Sequence, residues 1–358
     1  MIGLFKNVFL TAVFPSLLAV PCWGADSESV DLRYRSYRNW SMHLPSEKWF
    51  PVKDGIEIPH SGGDVFAVEL DGNNVKFDTD GDGKLDRTIK PIVDAKTNVS
   101  TTRVVLSGKT KSGEPLRYAA RLRKDGSGWE WAPGGAMAGT ITTDTGPVPI
   151  RIIDQNGNGR FDDIGRDAMI VGGNDNATLL SKTIYVDNVL HSVDFADDAK
   201  SLTLSPYDGP TAQIDMTTSF NSKAVLISSV IVSADGQHSF DVGAIEGPIK
   251  VPAANYSVVG GVLGLGEHRV HIASGRMKPL ELASGTKKEI DWGGPIASEF
   301  QFARSGDQVQ FSPNHIWYYG KAGEQYTGWN PIGKSPEFKV LDADSGAVLE
   351  VAILPGSC

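Results

Sequence analysis

Short runs of Val, Ile, Thr and aromatic residues, separated by glycine and proline, recur along the chain, and no long segment sets apolar residues at helical spacing. That pattern predicts an all-β, multi-domain protein. Val65 to Leu70 reads as a strand, Asp71 to Asn74 as its hairpin turn and Val75 to Phe77 as the returning strand. Thr102–Leu106 and Leu116–Leu122 form a second hairpin, which turns at Lys124 to Gly128 into Trp129-Glu130-Trp131, whose two indoles share one face. Val148 to Ile153 and Ala168 to Val171 are a further pair. Beyond the turn-like Ser205-Pro206-Tyr207-Asp208-Gly209-Pro210 the texture changes: Ala224 to Val232 is almost continuously apolar, as a strand covered on both faces requires. Shorter strands follow at 300–303, 308–311, 316–319, 338–341 and 348–353.

Two of these hairpins carry acidic loops where a turn would be. The first runs Asp78-Thr79-Asp80-Gly81-Asp82-Gly83-Lys84-Leu85-Asp86, and the second Asp154-Gln155-Asn156-Gly157-Asn158-Gly159-Arg160-Phe161-Asp162-Asp163. Oxygen-bearing side chains at alternate positions let a tightly curled backbone aim several of them at one hard cation, with glycine sixth where the chain bends. The ligands expected of the first loop are Asp78, Asp80, Asp82, Asp86 and the Lys84 carbonyl. Those of the second are Asp154, Asn156, Asn158, Asp162, Asp163 and the Arg160 carbonyl, with Asp167 available to close it. Oxygen alone points to Ca2+. Fewer carboxylates predict a weaker second site, and neither loop has the glutamate that an EF-hand sets at position twelve, where Ile89 stands in the first. Affinities of about 0.1 to 1 mM are therefore expected. Leu85 is expected to tuck into the sheet. In ending on a ninth-position aspartate the first loop resembles the shortened calcium loops of dockerins, thrombospondin type 3 repeats and integrin α propellers. Strands instead of helices flank both loops, so each unit reads as a calcium-clasped β-hairpin.

With 358 residues the chain is long enough for roughly two or three domains. A single lysine, an apolar stretch from Val8 to Val20 and small residues before Ala25 read as a signal peptide over residues 1–24. A calcium-loop β domain is expected over 26–205, opened by an aromatic and basic lead-in from Asp31 to Phe50. The segment Lys250-Val251-Pro252-Ala253-Ala254-Asn255-Tyr256-Ser257-Val258 resembles the carboxypeptidase regulatory-like family, which implies a transthyretin-type sandwich over 211–295. Strand spacing suggests an immunoglobulin-like sandwich over 296–358, its core filled by alternate members of Trp317, Tyr318, Tyr319, Tyr326 and Trp329 unless these stack on a sugar.

Export fits the remaining composition. Cleavage removes Cys22 and leaves Cys358 alone, so no internal disulfide is expected, and Pro21 spoils the lipoprotein-type reading of Leu18 to Cys22. The net charge of −9 becomes −10 once the +1 of Lys6 is lost, which argues against a nucleic-acid partner. No stable membrane span is expected after cleavage. Ser107-Gly108-Lys109-Thr110 lacks the earlier glycine of a phosphate loop, Gly260 to Gly266 lacks the dinucleotide spacing, no G-x-S-x-G occurs, and His268 and His271 point to opposite faces of a strand. The expectation is an exported, periplasmic, extracellular or cell-surface protein, non-enzymatic, that binds carbohydrate or a cell-surface protein. The alternative is a secreted hydrolase with structural calcium and a carboxylate-based site.

Overall fold

A computed structural model describes residues 27–353 except 54, 72–73, 96, 125, 127, 197–198, 307 and 329–336; the expected signal peptide, Trp329 and Cys358 lie outside the described residues. No helix occurs among them, and the strands form a set of mainly antiparallel sheets. The fold class is all-β, as the residue pattern requires.

Residues 27–205 build two large hydrophobic cores and a small third one of Met42, Ala136, Ile153, Ala168, Ile170 and Ala177. In the first, a five-stranded sheet in the order Phe50–Pro51, Trp129–Pro133, Pro115–Lys124, Ser100–Lys109, Ile92–Val93 faces a four-stranded one of Gly55–Ile56, Phe66–Asp71, Asn74–Phe77 and Arg87–Ile89. Ile56, Phe66, Phe77, Leu106, Tyr118 and Trp131 are fully buried between them. In the second, a five-stranded sheet of Thr178–Leu179, Ala168–Val171, Gly146–Ile153, Gly135–Thr143 and Arg33–Ser36 packs with a four-stranded one of Glu28–Asp31, Ser201–Pro206, Val189–Phe195 and Thr183–Val186. Its interior holds Ile141, Ile150, Ile152, Leu180 and Leu202. Each large core thus contains one loop-bearing hairpin: Asn74–Phe77 pairs with Arg87–Ile89, and Gly146–Ile153 with Ala168–Val171.

The lead-in crosses the outer face of the first sheet. Tyr118, Leu122 and their neighbours alternate inward, which turns Arg121 and Arg123 outward. The Arg121 guanidinium lies 3.9 Å from the Trp40 ring centroid and 5.0 Å from that of Trp49, and Arg123 lies 4.2 Å from Trp49. Arg121 Nε also donates to the Pro133 carbonyl at 2.7 Å, and its Nη2 to Glu47 Oε1 at 2.5 Å. A cation between two indoles, with its fork satisfied, fastens the strap to the sheet.

Past Pro210, Ile249–Pro252, Thr211–Asp215 and Lys287–Glu289 form one small sheet, Phe220–Asn221 pairs with Trp292–Gly293 in another, and an eight-stranded sheet carries most of the remaining strands. The apolar run lies next to its edge strand Ser239–Asp241 as Val225–Ser233, continuously buried from Ser228 to Ile231 although Val225 is exposed. Tyr256 Oη donates to the Pro252 carbonyl at 2.9 Å. The strand order joins what the sequence divides at Pro295: Gln325–Thr327 pairs with His268–Ala273 on one side and Gln308–Tyr319 on the other, and Ala297–Ser305 follows. The reason is edge satisfaction, because His268–Ala273 has backbone groups that the later strands pair. Tyr326 is buried in the resulting core, while Trp317, Tyr318 and Tyr319 stay half-buried. Glu337–Leu341 and Val348–Ile353 form a separate two-stranded sheet.

Arg121→Leu is expected to destabilise the protein by about 2 kcal/mol in a urea melt, through lost hydrogen bonds and cation–ring contacts. Arg121→Lys is expected to recover less than half of that loss, since an ammonium keeps the charge and loses the fork.

Candidate metal centre

Both loops have the same backbone. Positions four and six are left-handed glycines in each: Gly81 (φ 77°) and Gly83 (φ 83°), Gly157 (φ 71°) and Gly159 (φ 83°). Glycine is required there because a Cβ disfavours that conformation. The curl turns amide N–H groups inward onto the first aspartate. Asp78 Oδ1 accepts from Gly81 N at 2.8 Å and Oδ2 from Gly83 N at 2.9 Å; Asp154 accepts from Gly157 N at 2.8 Å and Gly159 N at 2.7 Å in the same way. Position three accepts from the amide of position five (Asp80 and Asn156, 3.2 Å in each), and position five from that of position seven (Asp82 and Asn158, 2.8 Å in each). Each side chain is therefore held by the chain two residues on, with its remaining lone pairs available to a cation.

The side chains then set the loops apart. In the first, Asp78 is buried while Asp80 and Asp82 are exposed, and one oxygen from each lies within 4.8 Å of the others, the only such acidic trio among the described residues. Asp86 does not join it: its two oxygens accept from Thr79 N at 3.0 Å and Thr79 Oγ1 at 2.7 Å. Lys84 donates its amide and its ammonium to Asp82, at 2.8 and 3.2 Å, which holds that carboxyl below its usual range. Leu85 corrects the sequence reading. It is exposed, because the loop projects beyond the sheet at this point and its eighth residue has no interior to enter.

The second loop lies inside the molecule. Asp154 is fully buried and takes two further donors, Asn158 N at 3.1 Å and the buried Tyr118 hydroxyl at 2.9 Å. Burial pushes its carboxyl up to about 6 against these donors, and pushes the Tyr118 phenol up as well. Asn156 and Asn158 donate their side-chain nitrogens to Asp163 Oδ2 at 2.8 and 2.6 Å. Burial raises the Asp163 carboxyl, and those two amides outweigh it and hold the group below its usual range. Asp162 is turned away: Arg160 grips it through Nε and Nη2, both at 3.0 Å, so a guanidinium occupies the oxygens expected for the metal. Asp167 is fully buried, accepts from Asp163 N through Oδ2 at 3.0 Å, and is pushed up to about 9 by burial and by the charge of Asp154.

Two participants give no signal in the sequence. Tyr118 reaches Asp154 from 36 positions away, on a strand whose pattern shows only that it faces inward. His60 stacks on Phe66 with ring centroids 4.1 Å apart and fills the space beside Gly81, so it packs under the first loop. Comparison of the chain with protein-family models, curated proteins and solved structures finds no match.

The loops differ in what surrounds their glycines. A Cβ at Gly83 would meet nothing within 4 Å, whereas one at Gly157 would come within 2.7 Å of the Phe50 ring and 3.1 Å of Trp131. Gly83→Ala is expected to cost about 1 kcal/mol and Gly157→Ala about 3, from left-handed strain alone and from strain with overpacking, in parallel denaturant melts. A pH dependence follows from the two raised aspartates. Both bind a proton more tightly folded than unfolded, where an aspartate titrates near 3.9. In chelator, the stability this proton uptake contributes is full below about pH 4 and is lost as pH rises through about 6 and then about 9. Asp167→Asn is expected to flatten that decline.

Proposed function

We propose that the protein is an exported, calcium-stabilised β protein whose role is non-catalytic binding at or outside the cell envelope. The observation that carries the reading is the convergence of Asp78, Asp80 and Asp82 on one point at the end of a β-hairpin, with each carboxylate held in place by the backbone that follows it. Three negative charges at such range repel one another unless a cation lies between them, and an all-oxygen set in a flexible loop suits calcium better than a transition metal. Flanking strands in place of helices give the ion a clamping role, since a hairpin inside a sheet has no pair of helices to reorient. Exposed apolar residues support a binding role: Phe302 at 62 % and, on the last hairpin, Leu349 at 62 % and Ile353 at 67 % exposure give the C-terminal sheets a surface suited to a carbohydrate or protein partner.

Calorimetric titration of the mature protein with calcium, beside Asp80→Ala, tests the reading. Uptake at this loop in the range of about 0.1 to 1 mM is expected, lost in the variant. If wild type and Asp80→Ala take up the same number of ions, or the wild type takes up none, the clamp is disproved.

A further inference from the structure

The chain carries a net charge of −9, yet one cleft in its first region has the opposite sign. The cleft, of about 580 Å³, lies where the lead-in, the turn between Ser100–Lys109 and Pro115–Lys124, and the second loop come together. Arg33, Arg117, Arg160 and Lys200 line it, against only two carboxylates, those of Glu114 and Asp162. Both acids are already engaged: Lys200 Nζ donates to Glu114 Oε2 at 3.4 Å, and Arg160 donates to both oxygens of Asp162. Arg33 and Arg117 are exposed, and among the described residues neither has a hydrogen-bonded or ion-paired acid.

More positive charge stands behind this wall. Alternation along Pro115–Lys124 sets Arg117 and Arg121 on the outer face of the sheet, and the register sets Arg103 opposite Arg121 on the same face. Arg103 Nε is buried with no hydrogen-bond partner. Burial, together with the like charges of Arg117, Arg38 and Arg87, presses its guanidinium below the usual range against the pull of the Tyr34 phenol. Cations that repel one another beside a low-dielectric wall, without a carboxylate to neutralise them, concentrate a positive field in the cleft that an anion from outside relieves.

The rest of the lining is apolar or hydroxylated. Tyr34 and Phe161, both half-buried, set their rings edge-on with centroids 5.8 Å apart, beside Leu32 and Met137, and the hydroxyls of Thr110 and Ser112 stand 2.8 Å from each other on the turn. A ligand matched to such a lining brings carboxylates for the guanidinium forks, hydroxyls for the turn and apolar ring faces for the aromatic side chains. We infer that the cleft binds an acidic oligosaccharide, a chain of sugar rings bearing carboxylates, with Arg33 and Arg117 as its anion-binding side chains. An extended acidic peptide matches the arginines but brings no ring faces to Tyr34 and Phe161. The inference rests on the proposed binding role, to which it gives a ligand class and a site apart from the C-terminal sheets, and it does not need the calcium clamp.

The test is calorimetric titration of the full mature chain with trigalacturonate, in EGTA so that no calcium bridges the sugar to the acidic loops. Saturable binding is expected, weakened at least about tenfold by Arg33→Ala or by Arg117→Ala and progressively by added salt, while the neutral trisaccharide maltotriose gives no binding. Both arginines are exposed, so the two variants are expected to melt with wild type, and Arg117→Lys is expected to recover part of the affinity because it keeps the charge and loses the fork. Absence of trigalacturonate binding, wild-type affinity in either alanine variant, or equal affinity for maltotriose overturns the inference. Triglutamate bound as tightly as trigalacturonate overturns the choice of a sugar. If trigalacturonate binds with this arginine dependence and is cut into shorter products, the cleft stands and the non-catalytic reading falls.

Discussion

A carboxylate taken out of water must find donors, a proton or a cation, and the first region is arranged around that requirement. Asp154 sits between two hydrophobic cores and accepts from three backbone amides and a tyrosine hydroxyl. Those donors exist only because Gly157 and Gly159 allow the chain to curl left-handed and turn its N–H groups inward. Tyr118 is fixed by its neighbours in the first core, with its ring 6.3 Å from that of Trp131 in an edge-on contact. The polar centre and the apolar packing are therefore one arrangement. Loosening either frees the other.

Seen this way, the unequal burial of two loops with one backbone has a simple origin. The first hairpin ends at the rim of its sheet, so its Asp80 and Asp82 reach water and their charges are screened there. The second begins at Ile153 and Asp154, both fully buried, and returns at Ala168, also buried, so the loop emerges from the interior of its own sheet into the neighbouring core. Asparagine at positions three and five suits that setting. A neutral amide in the interior carries a smaller desolvation penalty than another carboxylate, and still offers an oxygen.

The period-two alternation made the strands legible, along with both loop-bearing hairpins and the glycine at position six, because each is a local consequence of side-chain direction or backbone conformation. Side-chain destinations were less so. Asp86 and Asp162 stand at plausible ligand positions in the sequence, yet Thr79 and Arg160 claim them through contacts that spacing alone does not rank against a metal. Leu85 is apolar and was expected inside, but an apolar residue on a projecting loop has nothing to pack against. The join across Pro295 was invisible for another reason: a local Gly-Gly-Pro break resembles a linker, while edge-strand pairing between His268–Ala273 and Gln325–Thr327 is decided over more than fifty residues of separation.

Charge count and position pull the two loops in opposite directions. Three converging carboxylates attract a cation more strongly than one carboxylate with two amides, if both sets stand in the same solvent. They do not: at the rim, water lowers the repulsion among Asp78, Asp80 and Asp82 and so lowers the gain from neutralising it. In the interior, Asp167 Oδ1 lies buried outside any regular hydrogen bond, and the strands around it are fixed by sheet hydrogen bonds. The same nine-residue pattern therefore stands in two settings according to where its hairpin is placed, at the rim of a sheet with its carboxylates in water and between two cores with its first aspartate buried.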